Sequence, residues 1–345
     1  MLPDKDGPSN LGGGIQSAEG DEDPSVSLFR EYLRLRTVHP EPDYDAALKF
    51  LDRMASELGL PVVKVEVCPG RVVAIMTWMG TNPGLKSILL NSHTDVVPVY
   101  KEHWKYDPFA AFKDADGNIY ARGTQDMKCV TIQYIEAIRR LKAKGQTFAR
   151  TTHLMFVPDE EVGGHKGMEM FINHPEFKNL NVGFALDEGL ANPGEAFTVF
   201  YGERNPWCDT NINSFNLFCS QEFEEQIKRW CREAGEDVTY EFAQKHMNQT
   251  VTSTDESDPW WHAFSCTCKS LNMTLKKEIF PAATDSRFIR AVGLPAIGFS
   301  PMNHTPILLH DHNEYLNEQV FLRGIQVYEK LVPALASIPP QPGEE

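Results

Sequence analysis

No apolar run in this sequence approaches the ~18 residues that a membrane span takes. The first two dozen residues are rich in Gly, Ser, Asp and Glu and lack the apolar centre of a signal peptide, so 1–24 reads as a disordered tail on a cytoplasmic protein. Positive charge is scarce. Lys and Arg number 33 against 48 Asp and Glu, for a net charge of −15. That balance excludes a nucleic-acid partner and an anionic membrane surface, but a local arginine could still hold a small anionic substrate. Cysteine is sparse too: seven residues without a tight framework fit a reducing compartment. Cys266-Thr267-Cys268 is the one close pair. It falls in an expected helix beside Trp260, Trp261 and Phe264, which predicts buried packing rather than metal binding. There is no internal repeat and no His-Glu-x-x-His, which disfavours a mononuclear zinc peptidase of that type.

What is present is a set of strands that end in chemistry. The run Ile88-Leu89-Leu90 reads as a buried strand of a parallel sheet and leads into Ser92-His93-Thr94-Asp95-Val96-Val97-Pro98. Strand ends are where an open α/β sheet places its site. In extended chain His93 and Asp95 point the same way, so the acid could take the other ring N–H of a ligating histidine. His-x-Asp alone is weak evidence. A second strand, His153 to Val157, ends in Pro158-Asp159-Glu160-Glu161-Val162-Gly163-Gly164. Two adjacent glutamates there are either a solvated acidic turn or a pair with a cation between them. A third, Val182 to Leu186, ends in Asp187-Glu188-Gly189. Asp126 stands just ahead of a helix running to Gly145, as an N-cap or as a carboxylate facing a site. His310 lies in Leu308-Leu309-His310-Asp311-His312-Asn313-Glu314, before a helix expected from about Leu316 to Leu331.

The flanking elements follow ordinary rules. A helix is expected from Ser25 to about Val38, broken by His39-Pro40-Glu41-Pro42, and another from Asp45 to Leu58 with Gly59 as its stop. Val62 to Val67 and Val72 to Trp78 read as a hairpin around Pro69-Gly70, and Ala296 to Phe299 as a late strand. After Pro333 the chain is Pro-rich and expected to be loose.

Taken together, His93, Asp126, Glu160, Glu161, Glu188 and His310 form a histidine and carboxylate set without thiolates, which suits zinc in a hydrolytic site rather than a structural knot. The five motifs, with Ala121-Arg122-Gly123-x-Gln125-Asp126-Met127-Lys128 among them, resemble in order the M20 metallopeptidase family, within it the amidohydrolases of N-acyl-L-amino acids. The resemblance covers about Pro24 to Trp207 and Glu222 to Pro333. It implies a zinc-exopeptidase-like α/β fold, a mixed, mostly parallel sheet flanked by helices, in a discontinuous catalytic domain of residues 25–207 and 252–333. It implies two Zn2+ per chain. His93 and Glu188 then serve one zinc, Glu161 and His310 the other, and Asp126 bridges both. Glu160 takes the part of general base, Asp95 that of the acid orienting His93, and Thr284 and Arg287 lie near the substrate. His310 is chosen over His312 because Glu314 follows it by four residues.

The same resemblance exposes a gap. Members of the family carry an inserted α+β lid that makes a homodimer and brings a histidine in a Gly-His-x-Ser context to the neighbouring site. No such motif occurs here, and residues 208–251 read as a remnant of the lid. Within it a helix is expected around Phe223 to Trp230, with Phe223, Ile227 and Trp230 on one face, and a strand over Val238 to Phe242. The homodimer is therefore doubtful. The implied activity is release of free L-amino acids from N-acyl-L-amino acids. The alternatives are a catalytically impaired metal-binding isoform and a dipeptidase of the same family. Acyl and side-chain preference is not legible in the sequence.

Overall fold

The computed structural model describes residues 22–204, 206–209, 212–216, 221–235 and 237–344. The elements are α1 (Pro24–Leu33), α2 (Tyr44–Leu58), β1 (Val62–Cys68), β2 (Arg71–Trp78), β3 (Ser87–His93), β4 (Phe112–Lys113), β5 (Asn118–Tyr120), α3 (Lys128–Ala143), β6 (Thr152–Val157), α4 (Met168–Phe171), α5 (Pro175–Asn179) and β7 (Val182–Asp187). Then come β8 (Phe197–Glu203), β9 (Pro206–Asp209), β10 (Ile212–Asn216), α6 (Gln221–Ala234), β11 (Phe242–Lys245), α7 (Pro259–Ser270), β12 (Leu275–Phe280), α8 (Ser286–Ala291), β13 (Ala296–Gly298), β14 (Tyr315–Asn317) and α9 (Glu318–Ala336).

Eight strands form one sheet in the order β1-β2-β6-β3-β7-β13-β8-β12. The centre, β6-β3-β7-β13, is parallel, while β1 and β2 form an antiparallel hairpin at one edge. Alternation along the strands builds two cores. Ile88, Leu90, Leu154 and Phe156 pack with α1, α2, α3, α7 and α9 on one face. Leu89, Met155 and Val157 pack with Phe171, Phe177, Phe288 and Ile289 on the other. Because β6, β3 and β7 are parallel neighbours, their carboxyl ends share one edge of the sheet. That arrangement brings His93, the Glu160-Glu161 pair and Glu188 into one place. A small sheet, β14-β5-β4, stands beside this edge and carries the loops of Asp126 and His310. A third, β10-β9-β11, is built from residues of the 208–251 region and its border.

Local signals account for the helix ends. Asp23, Asp43, Asp258 and Asn317 each accept a backbone N–H from the first turn of α1, α2, α7 and α9, and Gly59 closes α2 in the left-handed region at φ 60°.

Several expectations need correcting. α1 stops at Leu33, not Val38, because Val38 leaves to form a parallel bridge with Val96. α9 runs through Pro333 to Ala336, and the tail beyond is not loose: Arg150 donates to both Glu344 carboxylate oxygens (2.8 and 2.7 Å) and to the carbonyls of Ile338 and Pro339. The strand expected at Val238 to Phe242 is found at Phe242–Lys245. Cys268 is buried as expected, but Cys266 is exposed on the outer face of α7. The N-terminal tail through residue 21 and the side chain of Phe223 lie outside the described residues.

Candidate active site

Each site residue sits where a strand or a braced loop ends. His93 is the last residue of β3 and is buried. Its Nδ1–H donates to the main-chain oxygen of Asp95 at 2.9 Å, which turns Nε2 into the site. Nε2 lies 2.9 Å from Asp126 Oδ1 and 3.5 Å from Glu188 Oε2. On the other side of Asp126, Oδ2 lies 3.0 Å from His310 Nε2, which is 2.9 Å from Glu161 Oε2. Two three-residue groups result, His93/Asp126/Glu188 and Asp126/Glu161/His310, each with donor atoms within 4.8 Å of one another. Asp126 belongs to both and presents one oxygen to each. It is not the N-cap of α3: that position is Met127, and no side chain caps the helix.

Two buried carboxylates outside these groups hold the loops. Glu314, fully buried, accepts the backbone N–H groups of Gly123, Gln125 and Asp126 at 3.1, 2.6 and 3.3 Å and pairs with Arg122 at 2.7 Å. It ties the Asp126 loop to the His310 loop. Asp95 plays the same part for the glutamate pair, accepting from the amides of Glu160 and Glu161 at 3.2 and 3.1 Å. Its carboxylate therefore does not orient His93 as expected. The oxygen stands 3.7 Å from Nδ1, because the neighbouring main-chain carbonyl has already taken that proton.

The glutamates ride on a 3-10 turn, Glu160–Val162, entered through Asp159 at φ 63° and left through Gly163 and Gly164 at φ 99° and 68°. Arg71 and Tyr44 hold the Asp159 side chain in this rare conformation, each at 2.6 Å. A Cβ on Gly164 would lie 2.8 Å from the Phe288 ring, so the second glycine lets this turn pack under α8. Arg287 donates to the carbonyls of Thr284 and Gly163 at 2.7 and 2.8 Å, and Thr284 Oγ1 accepts the Ser286 amide. The structure thus engages Thr284 and Arg287 in bracing the turn. Asp187 is anchored by Asn91 and Ser286, which steadies the adjacent Glu188.

The electrostatics point to a cation. Burial, then the Asp126 charge, pushes Glu161 up to about 7 and Glu188 well above the usual carboxylate range. Asp126 is held well below that range: burial opposes it, but hydrogen bonds from His310 and His93 prevail. Glu161 Oε1 is buried and has no hydrogen-bond partner. Like charges converging with two imidazoles, an orphaned carboxylate oxygen and one shared carboxylate fit a pair of metal ions. Glu160 is buried, belongs to neither group, and is pushed well above its usual range by burial and by Asp285 and Glu161, against the pull of His93.

The family model for peptidase family M20/M25/M40 matches residues 89–334. The chain belongs to this family. Mouse aminoacylase-1 is 53% identical over 399 residues, covering 94% of this chain and 98% of that protein. An M20 family metallo-carboxypeptidase from Sulfolobus solfataricus shares the fold with a TM-score of 0.74 at 15% identity, covering 91% of this chain and 100% of that one. A dinuclear metal binding M20 peptidase from Bacillus subtilis does so with a TM-score of 0.63 at 14% identity, covering 91% and 98%. The mouse alignment spans 399 positions and this chain has 345 residues, so a stretch of the M20 relative has no counterpart here.

Sequence reasoning missed two parts of this M20 site. Glu314 served only as a spacing mark, and His39, whose Nε2 lies 2.8 Å from Asp95 Oδ2, only as a helix breaker. Neither carried a local signal, because the partners lie 56 and up to 192 residues away along the chain.

Proposed function

We propose that this chain is a two-zinc amide hydrolase that releases L-amino acids from N-acyl-L-amino acids. The observation that carries the reading is Asp126, which gives one oxygen to each of two histidine and carboxylate groups, with Glu160 buried beside them and outside both. His93, Asp126 and Glu188 would hold one ion, and Asp126, Glu161 and His310 the other. When bound, the ions polarise the acyl carbonyl and bring the pKa of a water in the site toward neutrality. Glu160 takes the proton of that water and delivers it to the leaving amine. Burial raises this carboxyl above the usual range, so it accepts a proton more readily than an exposed glutamate would. The glutamate turn is fixed by Asp95 from one side and Arg287 from the other, so Glu160 keeps its place while the proton moves.

The 53% identity to mouse aminoacylase-1 supports N-acyl amino acids over dipeptides as substrates. Among the described residues no helix is long and apolar enough to cross a membrane, and the five described cysteines are free. The missing stretch favours a second reading, a metal-binding isoform of low turnover. One experiment separates them: zinc per chain together with release of methionine from N-acetyl-L-methionine and from a methionyl dipeptide. Two zinc ions with faster release from the acetylated substrate supports the hydrolase. Two ions without release from either substrate supports the impaired isoform. Absence of bound zinc overturns both.

A further inference from the structure

Asp95 is fully buried, and a buried carboxylate must find donors. Two are the amides of the glutamate turn. The third is His39 Nε2, at 2.8 Å the shortest contact among these and the one from a side chain. His39 reaches this position because α1 ends early and Val38 bridges Val96. The His39 amide then donates to Val96 O at 3.1 Å, and the Val96 amide to Thr37 O at 2.9 Å. The backbone thus delivers an imidazole to the floor of the site from a segment outside the five motifs. Asp159 also lies close to His39 and Asp95, but Arg71 and Tyr44 already hold its carboxylate, so this trio is no third metal site.

We infer that His39 is a positioning residue for the metal centre, acting through Asp95. The terminal torsion of an aspartate is soft, and the Asp95 carboxylate has a competing partner in the imidazole of His93, 3.7 Å away. The hydrogen bond from His39 to Oδ2 holds the carboxylate with Oδ2 on the Glu161 amide and Oδ1 on the Glu160 amide. Without it the carboxylate can swing toward His93, drawing that ring off its carbonyl and leaving the Glu160 and Glu161 amides without an acceptor. Both the first metal's histidine and the second metal's glutamate would lose their aim. This rests on the two-zinc reading of the site.

The test compares His39→Ala and His39→Gln with the unaltered full chain, reading zinc affinity against a competing chelator and, separately, kcat and KM for N-acetyl-L-methionine. His39→Ala is expected to lose ~10- to 100-fold in zinc affinity or kcat, the usual range for removing a partner behind the ligands, with KM near its original value. His39→Gln can still donate an N–H to Asp95 and is expected to recover most of the loss. If the alanine variant does not fold, His39→Met, of similar reach and without a donor, takes its place. Unchanged affinity and kcat in the donor-less variant overturns the inference, as does an equal loss in both variants. An unaltered chain that binds no zinc overturns the two-zinc reading and this inference together, so the two failures are told apart.

Discussion

At the scale of single residues, adjacent glutamates have opposite environments. Glu161 pairs with His310 at 2.9 Å, whereas Glu160 belongs to neither three-residue group. Glu160→Gln keeps shape and hydrogen-bonding capacity but cannot carry the proton. We expect kcat to fall ~10²–10⁴-fold with zinc content unchanged. Asp126→Asn should lose zinc as well, because one uncharged amide cannot bridge two cations. Metal analysis beside turnover distinguishes these outcomes, and zinc loss in Glu160→Gln would contradict the assignment. A buried histidine in β6 contributes to the loss of stability in acid. His153 is buried in β6, its Nδ1 3.0 Å from the Thr77 hydroxyl and its Nε2 3.1 Å from Leu180 O. Burial pushes its pKa down to about 4. In the unfolded chain it takes a proton near pH 6.5, so between about 6.5 and 4 the unfolded state binds more protons and stability falls as pH falls. His153→Gln should be less stable at pH 7 yet lose less on acidification, a difference that urea unfolding at pH 7 and pH 5 measures.

At the scale of elements, Arg150 binds three of them. Standing just ahead of β6, it donates to Lys86 O before β3, to Ile338 O and Pro339 O after α9, and to Glu344. Glu344 is held down to about 2, chiefly by the hydrogen bond from Arg150. Its contribution is therefore present above about pH 4.3 and lost as pH drops toward 2. Glu344→Gln should cost about 1–3 kcal/mol at neutral pH in denaturant unfolding, with the difference vanishing in acid. This tie also shows what the sequence conceals. The strands β3, β6 and β7 and the residues at their ends were legible because unbroken apolar runs stopped at charged ones. The order β6-β3-β7 was not, since periodicity carries no information about which strands become neighbours. β12 escaped for a different reason: it is an edge strand, and Lys276, Lys277 and Glu278 cover its pattern with charge. The partners of Asp95 and Glu314 come from segments up to about two hundred residues away, so nothing local announced them.

At the scale of the whole molecule, the metal centre and the missing stretch are separable. All five expected ligands, His93, Asp126, Glu161, Glu188 and His310, lie at the edge of the eight-stranded sheet and in the loops of the small sheet beside it. None lies in β9, β10, β11 or α6, the elements of the region that reads as a remnant of the lid. Zinc binding should therefore survive in this chain and stabilise it. Removing zinc with a chelator is expected to lower the thermal midpoint by roughly 5 °C, since a ligand at a hundred times its Kd adds about 2.7 kcal/mol to the folded state. Turnover is another matter. The family resemblance implies that the absent part brings a histidine to stabilise charge on the reacting carbonyl oxygen, and losing one such donor commonly costs ~10²–10³ in rate. Inserting the corresponding segment of the mouse relative should then raise kcat by about that factor while zinc per chain stays the same. If the unrestored chain already turns over N-acetyl-L-methionine as fast as the restored one, a donor within these 345 residues does the work assigned to that histidine. If restoration changes zinc content instead of kcat, the missing stretch shapes the metal centre itself, and the separation drawn here between centre and lid is wrong.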